Sequence, residues 1–66
     1  MIDHARQAAY IVGGVTELCR LIHASRSEVY NWRRIPAKRV IKIEELTKGD
    51  LTRHEMRPDI YGPRPS

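Results

Sequence analysis

The stretch VTELCRLIHASRSEVYNW, Val15–Trp32, reads as two short helices that meet at a tight corner. Val15, Leu18, Cys19 and Ile22 recur at helical spacing and give the first helix its apolar stripe. Val29 and Trp32 do the same for the second, with Ala24 at the corner between them. Ser25-Arg26-Ser27-Glu28 is a capping box. The Ser25 hydroxyl is placed to accept from the Glu28 amide, and the Glu28 carboxylate to reach back to the Ser25 amide, so the second helix is predicted to start at Arg26. Its first turn then exposes Arg26 and Ser27, and its next exposes Tyr30 and Asn31. This outer helix opens a basic stretch. A rigid helix pair with a cationic, hydrogen-bonding outer member is what reading a DNA major groove requires.

The flanking sequence extends the helical pattern. Asp3 is placed to cap a first helix reaching about Val12, with Ala5, Ala8, Ala9, Ile11 and Val12 on its apolar side and Gly13-Gly14 as its stop. The helix that begins at Val15 has two candidate caps, Gly14 and Thr16, and runs to about Ile22. The outer helix covers about Arg26 to Arg33. Pro36 keeps Ile35 away from helical angles and suits the first position of a fourth helix. That helix reaches about Thr47, with Val40, Ile41, Ile43 and Leu46 inward and Lys48-Gly49 as its stop. Thr52-Arg53-His54-Glu55 is a second capping box, so a short fifth helix begins near Arg53 and Pro58 limits it. Short extension near Ile60-Tyr61 is the one strand-like feature, and no internal repeat is present. The expected fold is all-α: five helices around one compact core, forming a single domain over residues 1–62, with residues 63–66 as a flexible tail.

Composition narrows the classes of function. A chain of 66 residues is one small domain that buries only about 60% of its unfolded surface, so a binding partner adds needed stability. No apolar run is long enough to span a membrane, and no signal-peptide pattern precedes the domain. One cysteine makes no internal disulfide, which fits a cytoplasmic setting. The net charge is +4, and its placement matters more than its size. Arg26, Arg33, Arg34, Lys38, Arg39 and Lys42 share one stretch with only Glu28 opposing them, so the rest of the chain is close to neutral. Such concentration favours a polyanionic partner.

Ala24-Ser25-Arg26-Ser27-Glu28-Val29-Tyr30-Asn31-Trp32 resembles a pattern found in the lambda-repressor-like helix-turn-helix superfamily. The resemblance is narrower still to phage Cro repressors and YdaS-type antitoxins, whose second helix reads small–Ser–polar–Ser–Ala–Val–polar–Gln–Trp. Arg34-Ile35-Pro36-Ala37-Lys38-Arg39 and Met56-Arg57-Pro58-Asp59-Ile60-Tyr61-Gly62 also fit that group, so the resemblance extends from about Gly14 to Gly62. It implies a lambda-repressor-like fold and an operator-binding repressor. Three positions depart from the pattern. Cys19 stands where a small residue, often Ala, is usual, and still lets the helices approach. His23 stands where Gly is favoured, at a corner that needs φ > 0. Val15 replaces a Gln that contacts a phosphate in many relatives, so that contact is not carried over.

Candidate site residues follow from both lines. Arg26 has the reach and geometry for a bidentate pair with guanine, with a phosphate as the other option. Ser27 is small enough to let the helix approach the bases. Tyr30 either touches a phosphate or thymine methyl or simply sits exposed. Asn31 either pairs with adenine or is an ordinary surface residue. Glu28 serves its cap rather than a cytosine, and Trp32 belongs to the core rather than to a base stack. Arg33, Arg34, Lys38 and Arg39, joined by Thr16 and Ser25, are the expected phosphate contacts, which set affinity and register but not sequence.

The expected partner is a double-stranded DNA operator bound by a symmetric homodimer, weakly paired until DNA joins the two copies. Leu51, Met56, Ile60 and Tyr61 are the apolar residues left over for that pairing. The alternative is an antitoxin-like module that holds a toxin protein and binds DNA secondarily. RNA binding would call for an exposed aromatic platform that the chain lacks. Cys19 and His23 stand at a metal-compatible spacing but have no companion ligands, and His4 and His54 are isolated, so neither metal nor cofactor is expected. No nucleophile–base constellation or glycine-rich phosphate loop stands out, and the chain is read as a non-enzyme.

Overall fold

The computed structural model describes residues 1–63. Six helices follow one another: α1 (Asp3–Val12), α2 (Val15–Ile22), α3 (Arg26–Asn31), α4 (Ala37–Leu46), α5 (Arg53–Met56) and α6 (Pro58–Tyr61). No strand occurs among the described residues. The expected tail falls largely on residues 64–66, which lie outside them.

Local chemistry sets most of the boundaries. Gly13 adopts φ 107° after α1, and its N–H bonds the Ala9 carbonyl, closing the helix end. Ser25 caps α3 by accepting from the Glu28 N–H at 3.0 Å, and Thr52 caps α5 by accepting from the Glu55 N–H at 3.2 Å. Several expected details shift. Ile2, not Asp3, holds the cap position of α1; Asp3 is its first helical residue, where a carboxylate favours the positive end of the helix dipole. Gly14, not Thr16, precedes α2. Helix α3 ends two residues early because Trp32 turns to extended angles, and Pro36 caps α4 rather than opening it. Pro58 does more than stop α5. It opens α6, where its fixed φ and missing N–H cost nothing, so Ile60 and Tyr61 are helical rather than extended.

These helices enclose one core. Ala5, Ala8 and Ala9 of α1 pack with Leu18, Cys19 and Ile22 of α2, and Val29, Trp32, Ile35, Val40, Ile43, Leu51 and Met56 complete the cluster. Small alanines on α1 let it lie close to α2, the helix it contacts most. Ile11 is not part of this face; it is 40% exposed. Leu51 and Met56, expected at a surface between two copies, are 1% and 4% exposed and fill the protomer's own core. Thr47 is buried with them. Its hydroxyl accepts from the Leu51 N–H at 3.2 Å, within hydrogen-bond reach of the Glu44 and Leu51 carbonyls, and so closes the α4–α5 turn.

The corner between α2 and α3 turns on His23, at φ 57° and ψ 43°. A side chain with a Cβ costs roughly 1–2 kcal/mol in that conformation. Part of that cost is returned because glycine loses more chain entropy on folding. His23→Gly is therefore expected to stabilise the domain by about 0.5–1 kcal/mol, and His23→Val to destabilise it. Thermal melts of the two variants check this, and a drop in melting temperature for His23→Gly would contradict it.

Candidate nucleic-acid interface

Helix α3 is held from one side only. At about 100° per residue, Val29 and Trp32 point inward, while Arg26, Ser27, Tyr30 and Asn31 fall within an outer arc of roughly 140°. The structure leaves all four exposed, Tyr30 by 51%, over a floor of buried Val29 and Trp32. Arg26 and Tyr30 are neighbours one turn apart, as are Ser27 and Asn31. The outer arc therefore carries a guanidinium, a hydroxyl, a phenol and an amide, which between them supply donors and acceptors suited to base edges.

Cations rim this helix. Arg33 and Arg34 leave its C-terminal end in the linker to α4, and Lys38 and Lys42 lie one turn apart on α4; all four are exposed. Arg26, Arg33, Lys38 and Lys42 have no ion-pair or side-chain hydrogen-bond partner among the described residues. Arg34 has one long contact, 3.4 Å to Asp59. Thr16 is exposed on the first turn of α2, and Ser25 is exposed at the start of α3 with its hydroxyl accepting from Glu28.

Arg39 is the exception in the expected phosphate set. Its guanidinium pairs with Glu28 at 3.3 Å and donates to the Ile22 carbonyl, and its side chain is only 19% exposed. One side chain of α4 thus satisfies a terminal carbonyl of α2 and a carboxylate in the first turn of α3, fastening the two helices at their corner. Glu28 accordingly gives its carboxylate to Arg39 instead of reaching back to the Ser25 amide. Arg39→Ala is expected to cost about 1 kcal/mol of stability. It should leave the salt dependence of any polyanion binding unchanged, because no free cation is lost. A salt slope that falls by about one unit in that variant would return Arg39 to the surface set.

Sequence reasoning missed a second polar junction beneath the linker. Arg57 donates to the Ile35 carbonyl at 3.0 Å and meets both oxygens of Asp59, at 3.0 and 2.9 Å. Hydrogen bonds from Arg57, helped by the nearby Arg34 charge, hold the Asp59 carboxyl well below its ordinary range, at about 2. The sequence signal was the quoted Met56–Gly62 motif, which gave the residues but not their contacts. Glu44 and Arg53 form a comparable junction behind the core. Two guanidinium bonds, at 2.9 and 2.7 Å, and the Arg53 backbone N–H at 2.8 Å lower the Glu44 pKa.

The residues expected to join two copies are divided by the fold. Ile60 is 47% exposed and Tyr61 half-buried, with Arg53 stacked over its ring at 5.6 Å, whereas Leu51 and Met56 are inside. An open groove of about 490 Å³ lies elsewhere, lined by Arg6, Gln7, Tyr10, Ile11, Asp50 and Glu55, none of them from α3. Cys19 is buried and His23 exposed, and no cluster of three metal-ligating side chains occurs among the described residues. No helix among them is long and apolar enough to cross a membrane.

A helix with one face packed in the core, a left-handed corner and an outward helix rimmed by cations define a Cro-like helix-turn-helix domain. The structure superposes on that of the Cro protein from the Xfaso 1 prophage element of Xylella fastidiosa strain Ann-1 with a TM-score of 0.83, at 34% identity over 92% of this chain and 98% of that one. The family model described as "Bacterial toxin YdaS" matches residues 5–65, and the chain belongs to that family. It is also 39% identical over 59 residues to the Escherichia coli (strain K12) protein described as "Putative transcriptional regulator YdaS". That match takes in 83% of this chain and 60% of the curated relative's length.

Proposed function

We propose that this domain is a sequence-specific DNA-binding transcriptional regulator of the Cro repressor type, acting in the cytoplasm on a double-stranded operator. The observation that carries the reading is the outer arc of α3. Arg26, Ser27, Tyr30 and Asn31 stand exposed together on a helix whose opposite face is locked into the core. In the proposed complex these four meet base edges. Arg33, Arg34 and Lys38, with Thr16 and Ser25, meet phosphates on either side, and Lys42 adds to the positive rim. Arg39 is removed from the phosphate set because its guanidinium is spent on the α2–α3 corner.

Principal extents of 34 × 21 × 17 Å let one copy present α3 to one major groove. Two copies acting together then supply the length of site an operator needs, with Ile60 and Tyr61 of α6 as the surface for their contact. The pairing is expected to be weak without DNA, since that apolar patch is small. Selection of binding sites from random duplex DNA tests the reading. Inverted repeats with half-site centres about 34–36 Å apart are the expected yield. Selected sites without two-fold symmetry, or one protein per duplex at saturation, would overturn the paired arrangement.

The antitoxin alternative, a module that holds a toxin protein and autoregulates its own operon, gains nothing from the family description, which names a bacterial toxin rather than its partner. Gene order separates the two. A divergent repressor gene supports the operator reading, and an adjacent toxin gene the other.

A further inference from the structure

We propose that Asp59 is a positioning residue for DNA binding: its carboxylate, anchored by Arg57, holds Arg34 at the exit of α3 in place for a backbone phosphate and so ties α6 to the DNA-facing surface. This rests on the duplex-binding reading above.

The three side chains form an ordered chain of contacts. Arg57 is nearly buried, its side chain 14% exposed, and it is fixed to the α3–α4 linker through the Ile35 carbonyl at 3.0 Å. Its fork meets Asp59 with Nε to Oδ1 at 3.0 Å and Nη2 to Oδ2 at 2.9 Å. Oδ2 also accepts from Arg34 Nη1 at 3.4 Å, and Arg34 is 67% exposed. The carboxylate is therefore oriented from below by a largely buried arginine and offered to an exposed one above. Two guanidinium groups against one carboxylate leave a full positive charge. Arg34 uses one of its five N–H donors on Asp59 and keeps the others for an incoming anion. Fixing a long side chain before binding removes an ordering cost that the complex would otherwise bear.

The same contacts hold α6, which has no buried residue of its own. Besides the Asp59 junction, His54 Nδ1 lies 3.2 and 3.1 Å from the Tyr61 and Gly62 carbonyls at its end. The helix that carries Ile60 is thus positioned by Tyr61 packed against the core and by polar ties, one of which ends on Arg34.

Bulk electrostatics and positioning make opposite forecasts for Asp59→Asn. Removing a carboxylate raises the net charge by one, which by itself tightens DNA binding. Loss of positioning weakens it. Affinity for a selected operator duplex, measured across salt concentrations for the wild type, Arg34→Ala, Asp59→Asn and the double variant, decides between them, with thermal melts of each protein alongside. Arg34→Ala is expected to weaken binding about three- to tenfold and lower the salt slope by about 0.9. Asp59→Asn is expected to weaken binding despite its added charge, and the double variant to bind no more weakly than Arg34→Ala alone. A purely structural role for Asp59 would add its full loss in the Arg34→Ala background. Asp59→Asn binding as tightly as wild type or tighter, or losses that multiply in the double variant, would overturn the proposal. If Asp59→Asn melts early, the comparison is made below its melting temperature, where a loss that disappears in the Arg34→Ala background supports the proposal and an equal loss in both backgrounds overturns it. Wild-type protein that fails to bind any duplex in a salt-dependent way would instead remove the parent reading, and this inference with it.

Discussion

Trp32→Ala is expected to leave the domain unfolded or nearly so. The indole is 9% exposed and lies in the one cluster that joins every helix except α6. Truncating a buried tryptophan costs about 3–5 kcal/mol through lost transfer energy and the cavity left behind. A small domain has a total stability of only about 5–15 kcal/mol, and one of this size sits toward the low end. The ring nitrogen is the one buried side-chain polar atom among the described residues without a hydrogen-bond partner, and leaving a donor unpaired is itself costly. Trp32→Phe removes that donor while keeping an aromatic ring, so it is expected to stay within about 1 kcal/mol of wild type and serves as the control. Thermal melts followed by circular dichroism measure both. An unchanged melting temperature for Trp32→Ala would place the ring on the surface and reverse the assigned faces of α3.

The second large effect is on recognition. Arg26→Ala is expected to cost about 1–3 kcal/mol on the selected site and to relax preference at one base pair in each half-site. Arg26 is exposed at the first position of α3, without an internal partner to compete for its guanidinium. A phosphate role would give a different pattern: binding weakened on all sequences alike, with a smaller salt slope and unchanged preference. Binding-site selection repeated with the variant distinguishes the two. Identical base preferences at every position would move Arg26 from the base-reading group to the phosphate group.

Much of this arrangement was legible in the chain because its signals are local. Ser25 with Glu28, and Thr52 with Glu55, mark helix starts within four residues, and both caps form. His23 was read as a left-handed corner because it stands where the resembling family favours Gly, and it takes that conformation. What escaped depends on approach between distant segments. Ile35 is completely buried, yet a lone apolar residue between two arginines and a proline has no period to betray it. Arg39 looked like its neighbours Lys38 and Lys42, since charge alone does not say that α4 brings it against Ile22 and Glu28. Leu51 and Met56 seemed spare because each stands alone among turn and capping residues, with no apolar period to mark a buried face. Ile11 sits about 60° outside the arc defined by Ala5, Ala8, Ala9 and Val12, close enough to be counted with them and far enough to be exposed. Helix α6 was hidden because a proline that ends one helix can equally begin the next.

The central claim is that the cations around α3 engage DNA phosphates. It is tested most directly by the affinity of the wild-type protein for a selected duplex as salt is raised. If Arg33, Arg34 and Lys38 each neutralise a phosphate, log K falls linearly with log salt with a slope of about −2.7 per copy, or twice that for a bound pair. An affinity independent of salt would contradict the claim.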